Sequence, residues 1–204
     1  EAMTMGDRVA VMRKGVLQQV ADPQVLYDEP VNLFVGGFIG SPPMNMAEVR
    51  IVEHGDGGLA VAFGDQLVVI DAETVAARPG LRTYLDRPIA VGVRSEDLSQ
   101  PGPRNDVPED SRLRTTALLT EALGSEIVVH FDVPAPPVRT EDAKELEEDS
   151  GMADITGGAI ETAGSKFVAS FSPRSRVRPG DAIEVGVDTT RLYFFDLDTG
   201  LSIR

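Results

Sequence analysis

The spacing of apolar residues changes near Pro43, and this change divides the chain into two parts. Before it, strand-like and helical segments alternate. Apolar runs at residues 8–12 and 16–20, separated by Lys14-Gly15, predict a β-hairpin, because glycine supplies the backbone conformation that a tight turn needs. We therefore expect a short α/β region over residues 1–43.

Three helical segments are predicted within this α/β region. Residues 1–6 are typical of the end of a helix that is closed by a glycine. Asp22 can cap a second helix that continues to about Tyr27, and the proline after Asp22 suits the first helical position. A third helix at residues 32–39 is ended by Gly40-Ser41-Pro42-Pro43.

Beyond residue 43, short runs of Val, Ile, Leu and Phe alternate with Gly, Asp and Pro, which is typical of an all-β domain. So many short strands predict a barrel or a sandwich for residues 44–204. The predicted strands are residues 47–53, 59–63, 66–70, 88–93, 113–122, 126–132, 166–171, 182–187 and 192–196.

Two segments interrupt the strand pattern. Residues 100–112 are rich in Pro, Asp and Glu, and residues 134–165 combine Pro136-Pro137 with an acidic run at 141–149. Segments of this composition bury too little apolar surface to pack well. Both are therefore predicted to be solvated insertions in the β domain.

Charge and composition exclude several classes of function. The formal net charge is −14 and only 5% of the residues are aromatic, which disfavours nucleic acid as a partner. The chain has no cysteine, so disulfides and thiolate catalysis are excluded. No apolar run reaches the roughly 20 residues that span a bilayer, and direct membrane insertion is not expected.

No motif of the sequence predicts a catalytic, cofactor or metal site. A Gly-x-x-x-x-Gly-Lys-Ser/Thr phosphate loop is absent, so the chain alone should not bind ATP. His54 and His130 are far apart in sequence, and the acidic pair Asp196 and Asp198 is interpreted as part of a turn. We expect that this chain by itself is not an enzyme.

The first region carries a specific family resemblance. Its segments EAMTMGDRVAVM, GVLQQV, LYDEP, NLFV and GFIGSP, at residues 1–42, resemble the end of the nucleotide-binding domain in ATP-hydrolysing subunits of bacterial sugar-import ABC transporters of the maltose, trehalose and glycerol-phosphate type. The resemblance implies that residues 1–43 are a remnant of that domain, in a fragment of a longer protein. The residues that bind ATP and Mg²⁺ would precede Glu1, in the parent subunit.

The second region is similar to the same family at VGVRSEDL (91–98), at LGSE (123–126) with His130, and from Arg178 to Gly200. The resemblance implies a mainly β fold, an oligonucleotide-binding-like (TOBE/MOP-type) regulatory barrel, in which residues 100–112 and 134–165 are insertions. Such barrels contact a second copy of the subunit and regulators. The candidate contact residues are Gly92, Arg94, Glu96, Gly124, Ser125 and Glu126.

The family also implies where the protein works and with what. The expected partners are a second copy of the chain, the transmembrane permease subunits and a possible regulatory protein. The expected location is the cytoplasmic face of the inner membrane, reached through the permease. The expected role is therefore regulatory and dimerising.

Two other functions are weighed against this one. Related barrels bind oxyanions, so a module for a small ligand such as an oxyanion or a sugar is the alternative, although the net charge of −14 and the few lysines oppose it. A barrel of this shape also permits nucleic-acid binding, but no basic groove with exposed aromatic residues is visible in the sequence.

Overall fold

The computed structural model describes residues 4, 6–103, 105–140, 143, 146 and 164–204, and its main elements are twelve strands in three sheets. A two-stranded sheet and two short helices come first in the chain. Two five-stranded antiparallel sheets follow and make a barrel-like body. The prediction of a mainly β fold with a short α/β start is confirmed.

The first sheet is the predicted hairpin. Strands β1 (Val9–Arg13) and β2 (Val16–Ala21) pair antiparallel with Arg13 opposite Val16. Lys14 and Gly15 connect them with φ values of 46° and 79°. Two positive φ values in a two-residue loop match the twist of the flanking strands, so this turn chemistry fixes the hairpin.

Helices α1 (Pro23–Asp28) and α2 (Leu33–Phe38) follow. The cap at Asp22 was predicted, whereas Asn32 was predicted to begin α2 and is instead its cap. The Asp22 carboxylate accepts the N–H of Gln24 at 2.9 Å, and the Asn32 side chain accepts the N–H of Val35 at 2.9 Å. Each cap satisfies a helical N–H group that has no partner within its helix. The helix end predicted at residues 1–6 lies almost entirely outside the described residues.

The two five-stranded sheets contain all nine predicted strands, with small shifts of their ends. One sheet has the order β12-β6-β3-β4-β5 and the other β10-β9-β8-β11-β7. Their strands are β3 (Asn45–His54), β4 (Gly58–Phe63), β5 (Gln66–Val69), β6 (Pro88–Val93), β7 (Leu98–Ser99), β8 (Arg112–Ala122), β9 (Ile127–Val133), β10 (Ser165–Phe171), β11 (Ala182–Val187) and β12 (Tyr193–Phe195).

Helical segments between the strands were not predicted. Helix α3 (Ala72–Ala77) is capped by Asp71, which accepts from Glu73 and Thr74, and a 3₁₀ segment (Pro79–Tyr84) follows it. Further 3₁₀ turns are Ser95–Asp97, Glu109–Ser111 and Thr189–Arg191. No helix in the described part of the chain is both long enough and apolar enough to cross a bilayer.

The main core lies between the two large sheets. Phe167 of β10 meets Phe63 and Phe131 edge to face, with ring centroids 6.2 and 6.1 Å apart. Alternating residues of the facing strands complete this core, including Val49, Ile51, Leu59, Val61, Val91, Leu113, Val129, Phe171 and Val185. Burial of alternate positions is the pattern expected where two sheets pack face to face.

Two carboxamide side chains join the sheets by hydrogen bonds. The buried Asn45 of β3 donates to the carbonyls of Val93 (3.1 Å) and Val168 (2.8 Å) and accepts the N–H of Val168 at 2.6 Å. Gln66 of β5 exchanges two hydrogen bonds with the backbone of Arg114 on β8, at 3.0 and 2.7 Å. At both of these contacts, a side-chain amide makes hydrogen bonds to a strand that a neighbouring backbone would otherwise make.

The two ends of the predicted insertion at residues 134–165 pack more closely than expected for a solvated segment. Ala135 and Val138 are buried, and Pro136 accepts a hydrogen bond from the N–H of Glu48. Ser165 is buried and pairs with Val133 at the start of β10. The expectation of solvation is therefore wrong at the ends of residues 134–165, because Ala135 and Val138 are buried in the core. The acidic run at 141–149 lies almost entirely outside the described residues. Most described positions of the earlier segment, residues 100–112, are exposed, and Arg112 donates to the carbonyl of Val107 at 2.9 Å.

The burial of the Asn45 contact predicts that replacing Asn45 destabilises the fold more than replacing Gln66. Replacing Asn45 with Ala should lower the free energy of unfolding by about 2–4 kcal/mol, because it leaves three buried backbone groups unpaired. The matched Gln66→Ala variant should lose only about 1 kcal/mol, since its partners lie near water. Urea denaturation measures both, and equal losses would contradict the role assigned to Asn45.

Candidate functional site

Arg94 occupies the junction between the α/β region and the barrel. It directly follows β6 in an extended conformation (φ −74°, ψ 152°) and precedes the turn Ser95–Asp97. Only 1% of its surface is exposed, although it carries a permanent charge. A buried guanidinium must find partners for its donors, and here the partners belong to the α/β region.

The guanidinium of Arg94 binds the carboxyl-terminal ends of both short helices. Its Nη2 donates to the carbonyl of Tyr27 in α1 at 3.0 Å. Its Nη1 donates to the carbonyl of Gly36 at 3.2 Å and to that of Ile39, which ends α2. Carbonyls at helix ends are unpaired and carry partial negative charge, so a cation stabilises them.

Two tyrosines and Glu96 surround this cation. The Arg94 guanidinium lies 3.8 Å from the ring centroid of Tyr27 and 5.6 Å from that of Tyr193, both within cation–π range. The hydroxyl of Tyr27 donates to the exposed carboxylate of Glu96. Burial, together with this hydrogen bond, raises the pKa of Tyr27 above its ordinary value. The phenol therefore stays protonated and keeps donating.

An apolar cluster fills the space beside Arg94. It joins Leu33 of α2 to Met44, Ala90 and Phe195 of the barrel, all of them buried. Glycines allow the close approach: a Cβ on Gly92 would collide with Sδ of Met44, and one on Gly36 would lie 3.1 Å from Cζ of Phe195. A larger side chain at Gly36 would press on Phe195 across the junction, and one at Gly92 would displace Met44 from the cluster.

The carboxyl-terminal segment also links the two regions. The N–H of Leu33 donates to Gly200 at 2.8 Å, and the N–H of Ser202 donates to Val31 at 3.0 Å. The next residue, Ile203, donates to Phe194 of β12 at 2.8 Å. The end of the described chain therefore pairs with the α/β region on one side and with the barrel on the other.

Asp97 is the carboxylate of the junction with the least access to solvent. Its side chain is 11% exposed, and its Oδ1 lies 3.9 Å from Nε of Arg191. Burial, followed by the neighbouring charge of Glu96, raises its pKa to about 6. Ionised Asp97 is therefore less favourable in the folded chain than in the unfolded chain, although the carboxylate still predominates at pH 7.

The structure separates the six candidate contact residues into two groups. Gly92, Arg94 and Glu96 lie together at the junction, where Gly92 and Arg94 are buried and have partners within the chain. Gly92 and Arg94 cannot touch a second copy in this arrangement, because their surfaces are already covered. Glu96 is exposed beside them.

The other three candidates form the turn between β8 and β9. Gly124 has a φ of 86°, and the N–H of Leu123 donates to the carbonyl of Glu126 at 3.0 Å, which closes the turn. Gly124 and Ser125 are exposed, and Glu126 is half-buried. This turn is remote in sequence from the junction, and it remains available to a partner.

Sequence reasoning missed the residues that complete the junction. Tyr27, Tyr193 and the segment after Gly200 were not predicted to contact Arg94 or the α/β region. The scarcity of tyrosine was the one signal in the sequence that could have pointed to this contact. The chain has only three tyrosines, and two of them lie beside Arg94. Their distance in sequence concealed the contact.

Outside the junction, the described residues offer little that could hold a ligand. An open groove of about 810 Å³ beside β11 is lined by Arg112 and Arg176 but also by Asp106, Asp181 and Glu184. Asp196 accepts hydrogen bonds from Asp198 and Thr199, which confirms its interpretation as a turn residue. Across the described residues, no group of three metal-ligating side chains is assembled.

The chain is similar to ATP-binding proteins of uptake and import systems. Residues 40–98 match the family described as the MalK OB fold domain. The chain is 35% identical to the osmoprotective compounds uptake ATP-binding protein GgtA of Synechocystis sp., and 37% identical to the trehalose/maltose import ATP-binding protein MalK of Thermococcus litoralis. It is 52% identical to the diacetylchitobiose uptake system ATP-binding protein MsiK of Streptomyces coelicolor.

The matches cover nearly all of this chain but less than half of each relative. They include 100%, 100% and 98% of this chain, but only 46%, 46% and 47% of the respective relatives. The chain therefore spans about half the length of the curated relatives it matches.

The buried guanidinium predicts a large effect of substitution at the junction. Arg94→Met should lower the free energy of unfolding by about 3 kcal/mol, because three carbonyls lose their charged donor. Arg94→Lys should restore only part of the loss, since an ammonium cannot span the same partners. The control Arg191→Met, at a side chain that is 60% exposed, should change stability by less than about 1 kcal/mol. Thermal unfolding that is unchanged in Arg94→Met would refute this.

The pKa of Asp97 predicts a pH-dependent effect. The unfolded chain ionises this group near pH 3.8 and the folded chain near pH 6, so ionisation destabilises the fold increasingly as pH rises between these values. Asp97→Asn should therefore match the parent chain near pH 4 and exceed it by about 1–3 kcal/mol at pH 7. Denaturant titrations at both pH values measure the difference; a variant that is less stable at pH 7 contradicts the prediction.

Proposed function

We propose that this chain is the regulatory and dimerisation region, the C-terminal part, of the ATP-binding subunit of a sugar-import ABC transporter. Its similarity to ATP-binding subunits of uptake and import systems over 98–100% of its length supports this assignment. Residues 44–204 form the regulatory barrel with an OB fold. Residues 1–43 are the end of the nucleotide-binding domain to which the barrel is attached.

The observation that carries this proposal is the junction around Arg94. A regulatory domain can act on an ATPase only if its position is coupled to that domain. Here a buried cation, an apolar cluster and backbone hydrogen bonds from Leu33 and Ser202 hold the barrel against α1 and α2. A partner that binds the barrel is therefore coupled to the nucleotide-binding domain through packed contacts.

The outer face of the hairpin supports the assignment of residues 1–43. Ala10, Met12, Leu17 and Val20 lie on the face opposite the buried Val11, and all four are exposed. An isolated two-stranded ribbon is at best marginally stable, and an apolar face of this kind normally packs against other structure. In the parent subunit, the rest of the nucleotide-binding domain would cover it.

ATP chemistry belongs to the parent subunit in this proposal. The 204 residues contain no phosphate loop, so the ring of backbone N–H groups and the lysine that hold nucleotide phosphates are absent. The chain alone is not an enzyme. The parent subunit hydrolyses ATP with Mg²⁺ to drive sugar import.

The partners follow from the same assignment. They are a second copy of the chain, the permease subunits and a possible regulator, at the cytoplasmic face of the inner membrane. The candidates for contact are the exposed Glu96 at the junction and the turn formed by the exposed Gly124 and Ser125 with the half-buried Glu126. Nucleic acid is not proposed as a partner because of the net charge of −14.

The alternative of a small-ligand module has weaker support. The groove beside β11 offers space and two arginines, but three carboxylates face the same space, and Arg112 already pairs with Glu184 at 3.1 Å. An oxyanion would meet a site with no net positive charge. A bound sugar would lack the aromatic platform that sugar sites commonly use.

Self-association tests the proposed function. The purified 204-residue chain should form a weak two-fold dimer, with a dissociation constant of roughly 10 µM to 1 mM, because a single patch on a small domain gives a modest interface. Sedimentation velocity over this concentration range measures it. Calorimetric titration with Mg-ATP should show no binding.

Two results would contradict the proposal. A chain that remains monomeric at millimolar concentration would remove the dimerisation role. Saturable binding of molybdate, sulfate or maltose in the groove, abolished by Arg176→Ala, would favour the small-ligand module instead.

A further inference from the structure

Strand β8 extends beyond its neighbour and leaves an open edge. Strand β11 pairs with β8 only from Arg112 to Thr116, and Ala117 then bonds to the turn at Gly180 and Asp181. From there to Ala122, β8 pairs with β9 on one side. On the other side, no described strand pairs with residues 118–122. This open edge presents backbone N–H and C=O groups that can pair with another strand.

The open edge is unusually apolar. Leu118, Leu119 and Leu123 are 49%, 41% and 60% exposed. Exposed edge strands usually carry charged side chains, proline or a bulge that opposes pairing. Residues 118–122 contain no lysine or proline, and Glu121 is their single charged residue. The bulge at Leu118 is the single irregularity, and it lies where β11 ends.

The distribution of charge favours a second copy as the occupant. The chain carries a net charge of −14, so two copies repel one another over most of their surfaces. Between Leu118 and Gly124, the only charged side chain is Glu121, and its carboxylate contacts Nε2 of His130 at 2.5 Å. The open edge therefore brings few like charges together when two copies approach.

The geometry of an edge strand points to the same occupant. An antiparallel pair of identical strands is self-complementary about a two-fold axis, so one edge supplies both halves of the interface. A basic partner would instead gain most at the acidic surfaces elsewhere on the molecule.

We propose that two copies of this chain pair through residues 118–122 of β8, antiparallel, with the two-fold axis at Thr120. The strands β10-β9-β8 of both copies then form one continuous six-stranded sheet. This inference rests on the dimerisation role proposed above and assigns it a surface. Leu119 of one copy faces Glu121 of the other, and Leu118 faces Ala122.

Cysteine cross-linking tests the axis directly. The chain has no cysteine, so Thr120→Cys introduces a single thiol per copy. Directly opposite residues of antiparallel strands have Cβ atoms about 4.5–5.5 Å apart, close to the separation within a disulfide. Mild oxidation should convert most of the dimer to a covalent dimer. The control Ser125→Cys is exposed on the same hairpin, but the axis places its two copies far apart, and it should remain uncross-linked.

A charge substitution gives an independent readout. Leu119→Glu faces Glu121 of the other copy and should weaken the dimer at least about 10-fold, because like charges are brought together. Leu67→Glu is the matched control, since Leu67 is 46% exposed on the edge strand of the other sheet. It should change the dissociation constant by less than about 2-fold.

The outcomes separate this inference from the proposed function. Cross-linking at Cys-substituted Thr120 but not at Ser125, together with weakening by Leu119→Glu alone, supports the inference. A dimer that forms without either effect overturns the inference and leaves dimerisation intact. A chain that stays monomeric at all concentrations overturns both.

Discussion

The buried charge of Arg94 is the constraint on which the arrangement of the chain depends. Moving a cation out of water costs several kcal/mol unless hydrogen bonds and nearby negative groups replace the lost solvation. No described carboxylate forms an ion pair with Arg94, so the compensation comes from three carbonyls at helix ends and from the face of Tyr27. Only a planar group with several fixed donors can reach both helices together. The relative position of α1, α2 and β6 is thus set by the shape of one side chain.

Inside the barrel, Asn45 supplies hydrogen-bond partners to buried neutral backbone groups. Sheet edges leave backbone N–H and C=O groups unpaired, and burying them without partners costs more than a hydrogen bond contributes. The Asn45 amide has one acceptor and two donors, and it uses them on Val93 and Val168. Its neighbour Met44 packs on Gly92 at the junction. Two adjacent residues therefore connect the closure of the barrel to its attachment on the α/β region.

Local chemistry explains what could be predicted from sequence. The hairpin followed from Lys14-Gly15, helix α1 from the cap at Asp22, and the end of helix α2 from the glycine and prolines at 40–43. The strands followed from short apolar runs between Gly, Asp and Pro. Each of these signals acts within a few residues. The segment Ala72–Ala77 lacks a clear apolar period and was missed, as was the two-residue strand β7. The junction was missed for a different reason. Tyr27 and Arg94 are 67 residues apart, and an arginine after a strand is ordinarily solvated, so only the folded chain shows that it is buried.

The junction and the open edge of β8 lie on different sheets, and the connection between the sheets decides whether one can affect the other. Strand β8 reaches β10 through β9, and β10 reaches β3 through Asn45, whose strand pairs with β6 immediately before Arg94. Each step in this path is a hydrogen-bonded strand pair or a buried amide, and close-packed interiors of this kind yield little to small forces. A second copy held at β8 would therefore fix the orientation of α1 and α2 in each copy, because no mobile linker separates the contact from the helices. In the proposed assembly, this is how a dimer formed by the barrels sets the spacing of two nucleotide-binding domains that the barrels themselves do not contain.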